Sequence, residues 1–370
     1  GRDLAAAEDA LADAFAAALA TWPATGTPQN PEAWLLTTAR RRLTDAARRR
    51  ATATAAEPDL EHLASIPPDA PGDIPDHRLA LLLACADPAV EPAARAPLML
   101  QAVLGLDAAR IASAFLVPPA TMSQRLVRAK RRLKESGARF TLPGPETLAH
   151  RLPETLAAIY AGYAAGAQNP EDGGALAGEA AWLARLTAAL APDAAEANGL
   201  AALLLHLEAR RPAGRDATGA YVPLAEQDPA RWNAALQDEA ETLLRRAFAL
   251  NDPGRYQWEA AIASAHAARR HGHPTDWTGI VGIYDALLAA TGSPVIAINR
   301  AVALAETAGP RTALATLKGI EDARLNEYQP YWAALAALAT RAGDDALARS
   351  ARMRAAGLSG DPAVRAFLLQ

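Results

Sequence analysis

The sequence predicts an all-α protein, on three observations. Alanine is abundant while Val, Ile and Phe are sparse (five Phe in 370 residues), a balance that favours helices over sheets. Apolar residues recur at helical spacing through long stretches, among them 3–22 and 119–135. In the C-terminal half, "RAVALAETAGPRTALATLK" (300–318) and "LAALATRAGDDALARSARM" (335–353) align with Gly309 and Gly343 in the same place, a spacing of 34 residues. That is the period of stacked helix pairs in which a glycine turn folds the second helix back on the first.

Composition sets the outer bounds. A chain of 370 residues has room for two or three domains. Its single cysteine, Cys85, excludes an intramolecular disulfide and suits a reducing, cytoplasmic setting. No apolar run approaches the ~20 residues of a membrane span, so no membrane partner is expected. The net charge of −4 gives no whole-chain footprint of a nucleic-acid binder. Charge is segregated instead. Residues 39–50 carry six Arg against one Asp, and residues 119–139 carry seven Lys/Arg against one Glu. Between them, residues 51–77 hold six acids, five Pro and no Lys or Arg.

Taken in order, residues 3–22 form a helix with Leu4, Leu11, Phe15 and Leu19 expected on its apolar face. "PATGTPQNP" (23–31) is a loop. The next helix runs over 31–50, with Asn30 as N-cap and Pro31 at its first position, and ends in arginines. The acidic Pro-rich tract 51–75 cannot form a core and is expected to be a flexible tether. A helical unit follows over 76–140, and its last two helices, 107–114 and 119–135, are joined by "FLVP". Asp107 is placed to cap the first of them, with Ile111 and Ala112 facing inward and Leu116 and Val117 packing the turn. In the second, Met122, Leu126, Ala129 and Leu133 form the buried stripe. Thr121, Ser123, Gln124, Arg125 and Arg128 are left facing outward, with Lys130, Arg131 and Lys134 further along.

That pattern is a helix-turn-helix. Its second helix would read base edges in the major groove: Gln and Arg have the bidentate geometry for adenine and guanine, and the lysines suit phosphates. The bland alternative is a solvated basic face. Residues 146–370 are expected to be helical throughout, with 210–233 a long inserted loop and "WEAAIASAHAARRHG" (258–272) a looser third repeat. His271 and His273, near His266, lack cysteines or paired carboxylates and are expected to be exposed turn residues rather than metal ligands. "EDGGALAGE" (171–179) lacks the Lys-Ser/Thr of a phosphate loop. No nucleophile–base arrangement stands out, so no enzyme, cofactor or metal is expected.

"AEDALADAFAAAL" (7–19), a loop, and "PEAWLLTTARRRLTDAARRR" (31–50) resemble region 2 of the extracytoplasmic-function (ECF) sigma factors of bacterial RNA polymerase. The helix-turn-helix resembles their region 4, and the order of basic helix, acidic linker and region 4 matches as well. "EQDPARWN" (226–233), "RYQWEAAIASAHA" (255–267) and "SPVIAINRAVALAE" (293–306) are similar to the subgroup that carries a tetratricopeptide-like extension. The resemblance implies four parts: region 2 over 1–50, a linker over 51–75, region 4 over 76–140 and a regulatory domain over 146–370. It implies core RNA polymerase as a partner, through the β′ clamp and the β flap, together with promoter DNA. Glu8, Asp9 and Asp13 would dock on the clamp. Arg40, Arg41, Arg42 and Arg48 would line the phosphates of the −10 strand, and the outward face of 121–134 would meet the −35 element. Trp34 is expected in the core rather than as a stacking platform.

Three departures qualify the resemblance. Arg41 stands where these factors commonly have Asn, so no −10 base preference carries over. Only Cys85 remains of the Cys and His residues usual near "ACADP" (84–88), which argues against a metal or redox role there. The chain starts at Gly1 without Met and lacks region 2's first helix, which reads as a sequence missing its start. Within the chain, the acid excess beyond residue 140 (25 acids to 20 bases) and the short Pro143/Pro145 connector suggest that the C-terminal domain packs on the sigma modules and regulates them in cis, while its groove takes a protein partner. A competing class is a helix-turn-helix repressor or activator with a tetratricopeptide-like sensor that never joins polymerase, although such a regulator has no need of residues 3–50. A third reading, a scaffold that has lost DNA binding, sits poorly with the intact outward Arg/Gln face.

Overall fold

The computed structural model describes residues 77–115, 117–137, 145–167 and 174–370, with scattered positions between 10 and 39. The regular elements among these residues are helices, and the one strand-like pairing is an isolated bridge between Arg215 and Tyr221. The expected all-α class is what the chain adopts. Two compact units divide it, Gly1–Thr155 and Leu156–Gln370.

In the first unit, the described positions 10–18 are helical, and their buried face is Ala10, Ala14 and Ala18. Ala39 and Leu35 pack against the first two. This corrects the apolar face read from the sequence: Leu11 and Phe15 are 39% and 50% exposed. The alanines at i, i+4 and i+8 form a face of their own, and their small side chains let a second helix approach closely. Leu11 and Phe15 each lie one residue further on, about 100° around the helix, and so point away. Leu4 and Leu19 lie outside the described residues. Trp34, expected in the core, is half-buried and meets Trp22 edge-to-face at 5.4 Å.

Numbering the helices with described bounds, α1 is His77–Cys85, α2 Pro92–Ala102, α3 Ala108–Ala114 and α4 Pro119–Ser136. Leu79, Leu82, Leu83, Leu98, Met99, Ile111 and Met122 are fully buried among them. Cys85 is buried in the same core.

Helix α5, Pro145–Ala167, carries the division between the units, which falls inside the helix rather than in the connector at 136–146. The reason lies in its first half. Arg151 donates to Leu83 O at 2.8 Å and pairs with Asp87 at 3.0 Å, closing off the end of α1. Glu154 accepts from Arg95 of α2 at 2.5 Å. These partly buried pairs make the start of α5 part of the first unit.

The second unit continues with α6 (Ala175–Leu190), α7 (Ala195–Arg210), α8 (Ala234–Ala249), α9 (Arg255–Ala267) and α10 (Trp277–Thr291). Helix α7 is apolar almost all round, as a central helix must be, and packs on α6, α8 and α9. Gly199 lets α9 come close: a Cβ there would lie 2.6 Å from Gln257 N. Glu196 then supplies what the start of α9 lacks. The N-cap of α9 is Gly254, which has no side chain, and the Glu196 carboxylate accepts the Tyr256 and Gln257 N–H groups at 3.1 Å each. Burial raises the Glu196 pKa, partly offset by those two hydrogen bonds.

Between α7 and α8, residues 211–233 form the inserted segment, built from three short 3-10 turns. Trp232 is buried and donates to Gln227 at 3.2 Å. The 34-residue units are helix pairs. Helices α11 (Pro294–Thr307) and α12 (Pro310–Lys318) turn at Gly309, and α13 (Gln329–Ala342) and α14 (Asp345–Leu358) turn at Gly343. Both glycines have φ of +83°, a conformation costly for other residues. The aligned positions Ile298, Leu304, Leu314, Leu338 and Trp332 share one core cluster, so the repeat spacing reflects equivalent packing. Helix α15, Pro362–Leu368, closes the array.

Candidate nucleic-acid interface

The first turn of α3 is capped by Asp107, whose Oδ1 accepts from Ala109 N and Arg110 N at 2.9 Å each. Ile111 and Ala112 are buried as expected. The chain then turns, with Val117 N donating to Ala112 O at 3.0 Å, and Pro119 opens α4. Proline suits that first position because its missing N–H would have no helical partner there. Leu116 lies outside the described residues.

Helix α4 buries Met122, Leu126, Ala129 and Leu133 against α2 and α3. Each of the larger three contributes about 1.5–3 kcal/mol to seating the helix. The helix ends at Gly137 (φ +66°), whose N–H donates to Lys134 O at 3.3 Å. With the stripe fixed, the opposite face is fixed as well. Ser123, Gln124, Arg128, Arg131 and Lys134 are exposed, while Thr121, Arg125 and Lys130 are half-buried at the stripe's edges. All eight residues expected at the DNA surface therefore lie on one helix and outside its core. Ser123 Oγ donates to Pro119 O at 3.0 Å, which commits its proton but leaves its lone pairs free. Arg131 lies 3.7 Å from Glu135, an exposed pair one turn along and worth little in solution.

One residue on this face escaped the expectation. Val127 is 70% exposed and lines a shallow depression with Ser123, Gln124 and Arg128. The signal was present in the sequence, since Val127 falls off the 122–126–129–133 stripe and so had to point outward. An exposed apolar side chain among hydrogen-bonding ones is what contact with a thymine methyl requires.

The region 2 residues Glu8, Asp9, Asp13, Arg40, Arg41, Arg42 and Arg48 lie outside the described residues, as does the tract 51–75. His271 and His273 are exposed in a turn after α9, while His266 is half-buried against Trp277 at 5.2 Å. No group of three His, Cys, Asp or Glu side chains suited to a metal is found among the described residues. Among them too, no helix is long and apolar enough to cross a membrane.

Residues 1–52 match sigma-70 region 2, and residues 151–248 match a family of unknown function (DUF6596). An uncharacterized protein of Rhizobium meliloti (strain 1021) is 37% identical over 381 aligned residues, which cover 99% of this chain and 89% of that protein. With region 2 at its start, this chain is a sigma-factor-like protein, and it belongs to the same family as that Rhizobium protein.

Proposed function

We propose that this protein is an ECF-type sigma factor that directs core RNA polymerase to a set of promoters. The observation that carries the reading is the order of parts on one chain: a region 2 match over 1–52, followed by a helix-turn-helix whose second helix turns Gln124, Val127 and Arg128 to solvent. A sigma factor needs both, because polymerase must be held while two separated promoter elements are read.

In this reading α4 acts as region 4. Gln124 and Arg128 pair with base edges of the −35 element, Val127 meets a thymine methyl, and Ser123, Thr121 and Arg125 flank them. Lys130, Arg131 and Lys134 hold phosphates and contribute most of the salt-dependent affinity. Arg40, Arg41, Arg42 and Arg48 act on the −10 strand, whose bases leave the stack before they are read. Glu8, Asp9 and Asp13 meet the basic β′ clamp, and the β flap holds the region 4 module. The protein acts as a transcription factor rather than an enzyme, inside the cytoplasm where polymerase works.

The helix pairs of residues 156–370 act as a tetratricopeptide-like regulatory domain in cis. The continuity of α5 supports this role: one helix begins among the pairs Arg151–Asp87 and Arg95–Glu154 of the first unit and ends inside the second.

Co-purification with core polymerase, followed by run-off transcription from promoters selected by the holoenzyme, tests the proposal. A stable complex that initiates at defined sites is expected. A chain that binds duplex DNA but neither retains polymerase nor supports initiation is instead a helix-turn-helix regulator with a helical sensor.

A further inference from the structure

The second unit holds a cavity that nothing above uses. About 610 Å³ of space lies between the inserted segment and α15, with Asp216, Tyr221, Val222 and Glu226 on one side and Ala366 and Phe367 on the other. Small-ligand pockets run from about 300 to 1,000 Å³, so the space suits a molecule of one or two rings.

The two sides are tied to each other within the protein. Asp361 caps α15, accepting from Ala363 N at 2.9 Å, and pairs with Arg215 at the base of the inserted turn. The Tyr221 and Phe367 rings meet edge-to-face at 5.4 Å. The turn is held by its own hydrogen bonds, from Asp216 N to Ala220 O and from Val222 N to Gly214 O, at 3.0 Å each. Further along, Arg269 donates to Leu224 O at 2.7 Å and to Gln227 O at 2.9 Å, carbonyls on either side of Glu226. A site whose walls are fixed in advance loses little freedom on binding.

The charge lining this cavity has one sign. Among the described residues no Lys, Arg or His lines it, while Asp216 and Glu226 do. Arg215 is engaged by Asp361 and lies 5.8 Å from the centre of the Tyr221 ring, so its charge is held within the wall. Asp216 Oδ1 accepts from Thr218 N at 2.8 Å, Thr218 Oγ1 at 2.7 Å and Ala220 N at 2.9 Å. The Thr218 hydroxyl above all, with the backbone donors, keeps the Asp216 carboxyl below its ordinary pKa, so it is ionised at neutral pH. Glu226 is exposed and makes no hydrogen bond or ion pair with the described residues. Two carboxylates beside two aromatic rings attract a positive charge, and the apolar side chains around them suit a hydrocarbon body attached to it.

We propose that this cavity binds a small organic cation, an amine or amidine joined to a ring or short hydrocarbon body. Asp216 and Glu226 take the charge and its N–H donors, and Tyr221, Val222, Ala366 and Phe367 cover the apolar body. The claim concerns the second unit alone and does not depend on the sigma-factor reading.

The test is isothermal titration of the full chain with 2-phenylethylamine, with 2-phenylethanol and 3-phenylpropionate as neutral and anionic controls of similar size at matched ionic strength. Saturable one-to-one binding of the amine is expected, at least tenfold tighter than either control. Asp216→Asn combined with Glu226→Gln removes both charges and keeps Oδ1 as the acceptor that the turn needs; it should weaken amine binding at least tenfold. Ala366→Trp fills the cavity from an exposed helix position and should abolish binding with both charges in place. Asp285→Asn, which removes a surface pair with Arg300, should leave it unchanged. No saturable binding of the amine, equal binding of the controls, or parent-like binding by either cavity variant overturns the proposal. Should one cavity variant lose its helical circular-dichroism signal, the other decides.

Discussion

Gly199→Ala tests how the second unit is held together. The added Cβ would lie 2.6 Å from Gln257 N and 2.9 Å from its Cα, both backbone atoms that no rotamer change can move. Ordinary contact begins at 3.4 Å, so α7 and α9 must part by about 0.8 Å. Overpacking of this kind costs about 1–3 kcal/mol. The same displacement stretches the two 3.1 Å bonds from the Tyr256 and Gln257 N–H groups to Glu196 beyond hydrogen-bond reach. A lost helix cap costs about 1–2 kcal/mol more. The sum, about 2–5 kcal/mol, corresponds to a fall of about 5–15 °C in the melting temperature of a unit this size. Scanning calorimetry of the full chain measures it, and amide exchange locates it, with faster exchange expected at Tyr256 and Gln257. A melting temperature within about 1 °C of the parent, with those two amides still protected, would show that the close approach of α7 and α9 does not govern this unit.

The remaining predictions concern DNA, polymerase and pH. Arg128→Ala and Gln124→Ala should each weaken −35 binding by about 1–3 kcal/mol and relax sequence preference; gel-shift titrations that match the parent for both rule out α4 as the reader. Lys134→Ala should weaken all sequences alike and reduce the slope of log affinity against log salt by about 1, which a titration at several salt concentrations reads directly. Reversing the charge of Glu8 and Asp13 should abolish co-purification with core polymerase while the circular-dichroism spectrum stays helical; retained binding at physiological salt would favour the regulator alternative. His266 has a folded pKa of about 4, below its ordinary 6.5, through burial and then Arg210 and Arg269. The unfolded chain therefore binds the extra proton first. Stability should be lost as pH falls from about 6.5 towards about 4, and His266→Gln should flatten that part of the denaturation–pH curve.

The sequence by itself determined the helix-turn-helix and the helix-pair repeats. Both rest on short-range regularities. Met122, Leu126, Ala129 and Leu133 lie three or four residues apart, so one buried face fixes the opposite one, and with it the exposure of Gln124, Val127 and Arg128. Gly309 and Gly343 mark tight turns because only glycine takes φ of +83° at little cost. The charge segregation that points to nucleic acid was equally legible, since it is a property of composition along the chain.

Tertiary structure decided what depends on contacts between distant residues. Periodicity offered Leu11 and Phe15 as the inward face of the first helix, but the neighbouring segment settles on Ala10 and Ala14 instead. Two helices approach more closely over alanine, and a one-dimensional pattern cannot tell which face meets a partner. The division of the chain inside α5 follows from Arg151 and Glu154 reaching Asp87 and Arg95, about sixty residues back. Glu196 capping a helix that starts at Arg255 arises in the same way. In each case the free energy comes from pairing groups brought together only when the helices pack, and the spacing of residues along the chain carries no trace of it.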